Sequence, residues 1–244
     1  MAAISYVHHL NGWGDPDNIF ASNSMLKGYR KLYQKPDSKR AITVDMLRSI
    51  SSHLHTVCRN TFEATLHRAA LLVAYFGFLR SSEFTAATKF SEPPLLLSDL
   101  LVCSGDSFTL VIKKSKTDQL QKGVHLSIER AGEPLICPLR ALQSYMQLRS
   151  GLTQQALFVH EDHTPLTTFQ FSYILKRAAA AAGIPLSGIS CHSLRIGACS
   201  MAKARGHSDT DLKKFGRWRS TAYKSYIRIP TTTIITGLRN HQAS

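Results

Sequence analysis

Apolar and polar positions change period along this chain, and the changes divide it into helical and extended stretches. Residues 44–57, "VDMLRSISSHLHTV", repeat apolar positions at helical spacing behind Thr43, whose hydroxyl can accept from an N–H of the first turn. The next segment, "FEATLHRAALLVAYFGF" at 62–78, is apolar on most faces, as a central helix would be. At 107–129 the period shortens to two. "FTLVI" and "VHLSI" alternate about a polar, lysine-rich connection, which predicts a β-hairpin or meander, and "LLLSDLLVC" before it offers a third strand.

The helical period then returns. "PLRALQSYMQLRSG" starts on Pro138 and stops before Gly151, and "TTFQFSYILKRAAAAAG" runs to Gly183. "SCHSLRIGACSMAKARG" has Ser190 as N-cap and Gly206 as terminator. "SDTDLKKFG" and "STAYKSYIR" predict two short helices capped by Ser208 and Ser220, with Pro230 as a stop. The whole pattern predicts a mainly α chain with a small antiparallel β-sheet, an α+β class. The polar, basic stretch "KLYQKPDSKRAIT" at 31–43 is the linker candidate, and the segment before it has helical patches but little core of its own.

Composition narrows the function classes. Hydrophobic residues make up 43% of 244, which is globular rather than disordered. The longest apolar run, "AALLVAYFGFL" at 69–79, is too short to span a bilayer, so no membrane span is expected. "MAAISYVHHLNGW" has neither a charged n-region nor a long apolar core, which argues against secretion. Five cysteines without a CxxC spacing point to a reducing compartment and away from a disulfide framework or zinc ribbon. Charge changes the picture most: 30 Lys and Arg against 16 acids leave +14, which favours nucleic acid first and an anionic membrane surface second. Residues 203–228 alone hold eight basic side chains against Asp209 and Asp211, a net +6.

Four places carry candidate chemistry, each with a plainer alternative. Arg80, in "GFLRSSEF", follows a long apolar stretch; it either pairs with Glu83 at i+3 or is held by Glu83 and offered to a phosphate. The lysines of "IKKSKTDQ", Lys113, Lys114 and Lys116, are either solvated hairpin decoration or a mobile source of one ammonium, with Lys116 the candidate. His192 and Arg195, three apart, share a face at a helix start where an anion is favoured, although a capping histidine would look the same. In "FGRWRSTAYKSYIR", Tyr223 and Tyr226 are again three apart, and either ring could simply pack. "HEDH" at 160–163 falls short of the HExxH metal pattern.

Taken in order, "FLRSSEF", "KKSKTDQ", "CHSLRIGA", "GRW" and "YKSYIR" resemble the signature of the tyrosine recombinases (the phage-integrase family) over residues 40–230. "GRW" and "YIR" are most similar to integrases of eukaryotic mobile elements of the crypton and DIRS-like kind. His207, in "RGHSD", mimics a family histidine, but it lies sixteen residues before Tyr223 and nineteen before Tyr226. In the family that position lies about eight or nine residues before the tyrosine, and Trp218 lies eight before Tyr226, so the resemblance selects Trp218 for it and Tyr226 as the nucleophile.

The resemblance implies the DNA breaking-rejoining catalytic fold, with residues 1–40 a remnant of a helical DNA-clamping domain plus linker, 41–230 the catalytic domain and 231–244 a tail. It implies DNA cleavage and rejoining through a 3′-phosphotyrosyl intermediate, in integration of a mobile element. Arg80 and Arg195 would clamp the phosphate, His192 and Trp218 would line it, Lys116 would protonate the leaving oxygen, Tyr226 would attack, and Glu83 would support. Lys113, Lys114, Lys203, Arg205, Lys213, Lys214, Arg217 and Arg219 are the expected DNA-backbone contacts. The implied partners are double-stranded DNA and, when active, three further copies in a tetramer on two DNA sites, with no metal or cofactor. The location would be nuclear in a eukaryote and otherwise cytoplasmic. The alternative is a transposon-derived DNA-binding protein, catalytically idle for want of the full clamp.

Overall fold

The computed structural model describes residues 2–14, 20–33, 38–113, 123–149 and 155–228. The chain forms two compact units, 1–38 and 39–244. The first holds α1 (Ala2–Leu10) and α2 (Phe20–Tyr33); Leu10, Trp13, Met25 and Leu32 of this unit are exposed.

The second unit is mainly helical with one small antiparallel sheet, as the alternation predicts. α3 (Val44–Val57) is capped by Thr43, whose Oγ1 accepts from the Met46 N–H at 3.3 Å. α4 (Thr61–Phe76) starts one residue earlier than the apolar pattern suggests, because Asn60 accepts from the Glu63 N–H at 2.9 Å. Residues 69–75 of α4 are all buried, so this helix runs through the core. Strands β1 (Leu100–Ser104), β2 (Ser107–Ile112) and β3 (Val124–Glu129) pair in that order. β2 buries Phe108, Leu110 and Ile112 on one face, the period-2 signature of a half-covered sheet.

α5 (Ser81–Phe84) is a single turn; α6 (Pro138–Arg149), α7 (Thr168–Ala181), α8 (Cys191–Ala204) and α9 (Asp209–Gly216) complete the helices. The linker expected at 31–43 is only partly that. α2 continues to Tyr33, and at the other end Arg40 and Ile42 donate their N–H groups to Gly188 and Ser193 carbonyls while Ile42 is fully buried. Gly197 makes that docking possible: a Cβ there would lie 1.9 Å from the Ile42 carbonyl oxygen. No helix among the described residues is long and apolar enough to cross a membrane.

Candidate active site

The site starts where α4 stops. Gly77 follows the helix, and Phe78 takes a left-handed φ of 50°, which turns the chain and leaves Arg80 at the N-terminal end of α5. Glu83, buried in that turn, accepts the Arg80 main-chain N–H at 2.9 Å and the Arg80 guanidinium at 2.8 Å. The expected Arg80–Glu83 pair therefore forms, with a fifth of the Arg80 side chain still exposed. The same carboxylate takes a second guanidinium, Arg217 Nη2, at 2.7 Å. Burial pulls the Glu83 carboxyl upward, but Arg217 and Arg80, with Arg195 behind them, outweigh it and hold it below the usual carboxylate range.

α8 supplies the pair that is one turn apart. Ser190 occupies the N-cap position, but its hydroxyl makes no bond; Ser193 Oγ instead accepts the Ser190 N–H at 3.1 Å. Arg195 is fully buried. It donates to the Phe78 carbonyl at 2.5 Å and to the Gly216 carbonyl, and its guanidinium lies 4.4 Å from the Trp218 ring centre and 5.7 Å from that of Tyr226. The Tyr226 ring is 4.8 Å from His192 and 5.0 Å from Trp218. Gly216 lets the indole fold back on the end of α9, since a Cβ there would fall 1.8 Å from the Trp218 ring. Burial, then the neighbouring Arg80 and Arg217, push Arg195 down from the ordinary arginine range, with Glu83 opposing. Three guanidinia around one carboxylate leave this spot with excess positive charge, the condition for holding an anion.

The two tyrosines separate cleanly. Tyr223 is buried, and its hydroxyl donates to Asp209 Oδ2 at 2.6 Å, a bond that pushes the phenol up to about 12. Tyr226 is the one that reaches the arginine and histidine. The expected short helix forms at Thr221–Tyr226, as a 3₁₀ helix. It is anchored on both sides, by Tyr223 on Asp209 and by the Tyr226 carbonyl on Ser200 Oγ at 3.1 Å. Over six residues a 3₁₀ helix rises about 12 Å against about 9 Å for an α-helix.

The structure therefore brings together Arg80, Glu83, His192, Arg195, Trp218 and Tyr226, which are spread over almost 150 positions of sequence. Lys114 and Lys116 lie outside the described residues. Lys113 caps the buried Asp99 carboxylate at 2.5 Å, and Lys203 pairs with Asp209 at 2.9 Å. Arg205, Lys214 and Arg219 are exposed, and Lys213 is half-buried. Arg217 is a correction. Expected on the DNA-facing surface, its side chain is only 5% exposed and turned inward, onto Glu83 and the carbonyls of Gly77, Phe78 and Phe215. Helical phase fails there because Arg217 has left the helix, with a left-handed φ of 56°. Nothing in the sequence marks that turn, since left-handed caps are ordinarily Gly or Asn.

His207 is exposed and lies edge-on to Phe215, away from the tyrosine. A cavity of about 690 Å³ is lined by Phe76, Ile128, Met201, Arg205 and Phe215 and does not include the residues gathered around Tyr226.

Neither family models nor curated proteins give a match to the chain by sequence. Solved structures do match. The XerH site-specific recombinase, in a post-cleavage complex with palindromic difH substrate, superposes with a TM-score of 0.64 at 12% identity, over 83% of this chain and 53% of that one. The Tn1549 transposon integrase (residues 82–397) with circular intermediate DNA gives 0.60 at 14% identity, over 98% and 75%. A lambda integrase dimer bound to a COC′ core site gives 0.56 at 17%, over 93% and 63%. The chain thus spans about half the length of the XerH protein. At these identities the likeness is one of fold, and the fold is that of tyrosine-recombinase catalytic domains.

Proposed function

We propose that this chain cleaves and rejoins DNA strands through a covalent phosphotyrosyl intermediate. The observation that carries the proposal is the convergence of His192, Arg195 and Trp218 on the ring of Tyr226 while Tyr223 is tied to Asp209. A phosphodiester resists attack because negative charge builds on its non-bridging oxygens, and a cluster of buried guanidinia lowers that barrier. Arg80 and Arg195 take that role. Tyr226 Oη attacks phosphorus and gives up its proton with assistance from His192. The bond to the 5′-oxygen breaks, and Lys116 supplies the proton that oxygen takes. The phosphodiester's energy stays in the 3′-phosphotyrosyl bond, so a 5′-hydroxyl from another strand reseals it in reverse.

The finer assignments are part of the same reading. Integration of a mobile element of the crypton or DIRS-like kind rests on "GRW" and "YIR". Residues 1–40 are assigned to DNA clamping, 41–230 to catalysis and 231–244 to a tail; the separate compact unit over 1–38 supports the first. Assembly as a tetramer on two DNA sites draws support from the lambda integrase tetramer solved on a Holliday junction. DNA contacts fall to the exposed Arg205, Lys214 and Arg219 together with Lys113, Lys114, Lys203 and Lys213.

One observation favours a second reading, DNA binding without cleavage: Arg195 spends hydrogen bonds on main-chain carbonyls and is fully buried. The test separates the two. The protein is incubated with nicked duplexes carrying randomised cores, and covalent protein–DNA adducts are trapped in detergent and sequenced. The proposal expects an adduct that Tyr226→Phe abolishes and Tyr223→Phe retains. Salt-dependent binding without any adduct establishes the idle reading, and an adduct lost only in Tyr223→Phe reassigns the nucleophile.

A further inference from the structure

Arg217 has no role in the reading above, yet its side chain donates to four acceptors. Its Nη1 donates to the carbonyls of Gly77 and Phe215, both at 3.2 Å. Its Nη2 donates to the Phe78 carbonyl at 3.1 Å and to Glu83 Oε2 at 2.7 Å. Only 5% of the side chain is exposed, so it does not meet DNA directly.

Its backbone is equally unusual. Arg217 is the C-cap of α9 with φ 56° and ψ 43°, a left-handed conformation that costs a non-glycine residue free energy unless its surroundings hold it there. That turn sends the chain back on itself, and the next residue, Trp218, lands on Gly216 with its ring over Arg195. The partner loop shows the same strain: Phe78 is also left-handed, and its carbonyl accepts from both Arg195 and Arg217. Two strained non-glycine residues thus meet through one guanidinium.

We infer that Arg217 is a positioning residue: its guanidinium clamps the end of α9 to the turn after α4, and so sets where Trp218, Arg80 and Arg195 stand relative to Tyr226. Each link is direct. Through Glu83 the guanidinium shares a carboxylate with Arg80. Through Phe78 it shares a carbonyl acceptor with Arg195. Through its own backbone it aims Trp218. Lysine cannot replace it, because one ammonium on a flexible stem lacks the planar fork that serves four acceptors from two nitrogens. This inference rests on the proposed strand cleavage only where catalysis is the readout; the placement of Trp218 is measurable without it.

The experiment uses the full chain with Trp13→Phe, leaving Trp218 as the one tryptophan. Arg217→Gly permits the left-handed turn while deleting the guanidinium, and Arg217→Lys keeps the charge while deleting the fork. Both are expected to raise acrylamide quenching of Trp218 severalfold. Both are also expected to lower the rate of adduct formation by about 100-fold, the scale of a misplacement near 1 Å. DNA affinity stays at the parent value, because Arg217 is buried. A control core variant, Phe171→Leu in α7, is chosen to match their loss of thermal stability and should leave the quenching as in the parent.

The inference is overturned if either Arg217 variant keeps the parent quenching, or if Phe171→Leu raises quenching as much as they do. It is overturned likewise if DNA affinity falls in step with the rate, which would make Arg217 a binding residue. A parent protein that forms no adduct defeats the cleavage proposal alone, and the quenching arm still decides the role of Arg217.

Discussion

The two ends of α4 each enclose a buried carboxylate, and they are built in opposite ways. At the C-terminal end, Glu83 meets Arg80 and Arg217 directly, with Arg195 behind them. At the N-terminal end, a helix length of about 24 Å away for sixteen residues, Glu63 Oε2 accepts from His160 Nδ1 at 2.7 Å, and the Glu63 carbonyl accepts from His67 Nδ1 at 2.9 Å. All three of those side chains are buried. Arginines stay charged at neutral pH, so the first cluster is over-positive there and suited to an anion. Imidazoles carry at most the charge their surroundings permit. Burial pushes His67 down, whereas Glu63 more than offsets burial at His160 and raises it, so the second cluster closes on itself as an ion pair. One end is left needing a ligand, and the other ties the 155–167 segment to the core.

The largest effect that can break this contrast is catalytic. Arg195→Ala should lower the adduct-forming rate by about 10²–10³-fold, the scale of losing one preorganised charge-stabilising group. His160→Gln, at the other end, should leave that rate unchanged and instead lower stability in urea, by about 3 kcal/mol, because Glu63 is left buried without its partner. Equal losses of rate in the two variants would mean that the ends are not functionally distinct.

The next effect separates them by pH. The Glu83 carboxyl is lower in the folded state, so its contribution is present above the unfolded value of about 4.3 and is lost as pH falls through the folded one. His160 is raised, so its contribution is full below the unfolded value of about 6.5 and is lost as pH rises through the folded one. His67, being lowered, has the opposite sign and blunts that loss. Midpoints of urea unfolding across pH 3–9 should show an acid limb that shrinks in Glu83→Gln and an alkaline limb that shrinks in His160→Gln. An alkaline limb that persists unchanged in His160→Gln would show that the imidazole carries no charge in the folded protein.

These two clusters were unequally legible in the sequence. His192 and Arg195 share a turn, so local spacing proposes that pair; Trp218, Tyr226 and the link to Arg80 come only from the resemblance to the tyrosine-recombinase boxes. Helix and strand identities followed from period, because burial of one face is a local demand. Glu63 and His160 lie 97 positions apart and belong to no motif, so nothing local announced them. Arg217 misled for a different reason. It sits among basic residues that do face outward, and only the left-handed turn at its own backbone reverses its direction. The resemblance assigns Arg195 to clamp a phosphate, and its bonds to the Phe78 and Gly216 carbonyls depend on two turns that periodicity does not encode.

The smallest expected effect asks which end of α4 faces DNA. Arg219 is exposed one residue beyond Trp218, and Arg177 is exposed at the other end, over the ring of Tyr173 at 5.6 Å. Both are single surface charges, so neither change should alter stability by more than about 0.5 kcal/mol. Each phosphate contact contributes about 0.9 to the slope of log affinity against log salt on duplex DNA. Arg219→Ala should therefore reduce that slope by about one, with a modest loss of affinity that disappears at high salt, and Arg177→Ala should leave the slope alone. Fluorescence anisotropy on a labelled duplex between low and moderate salt resolves a difference of that size. A slope that falls in Arg177→Ala and not in Arg219→Ala would turn the molecule around on DNA and separate the arginine cluster from the strand it is proposed to cut.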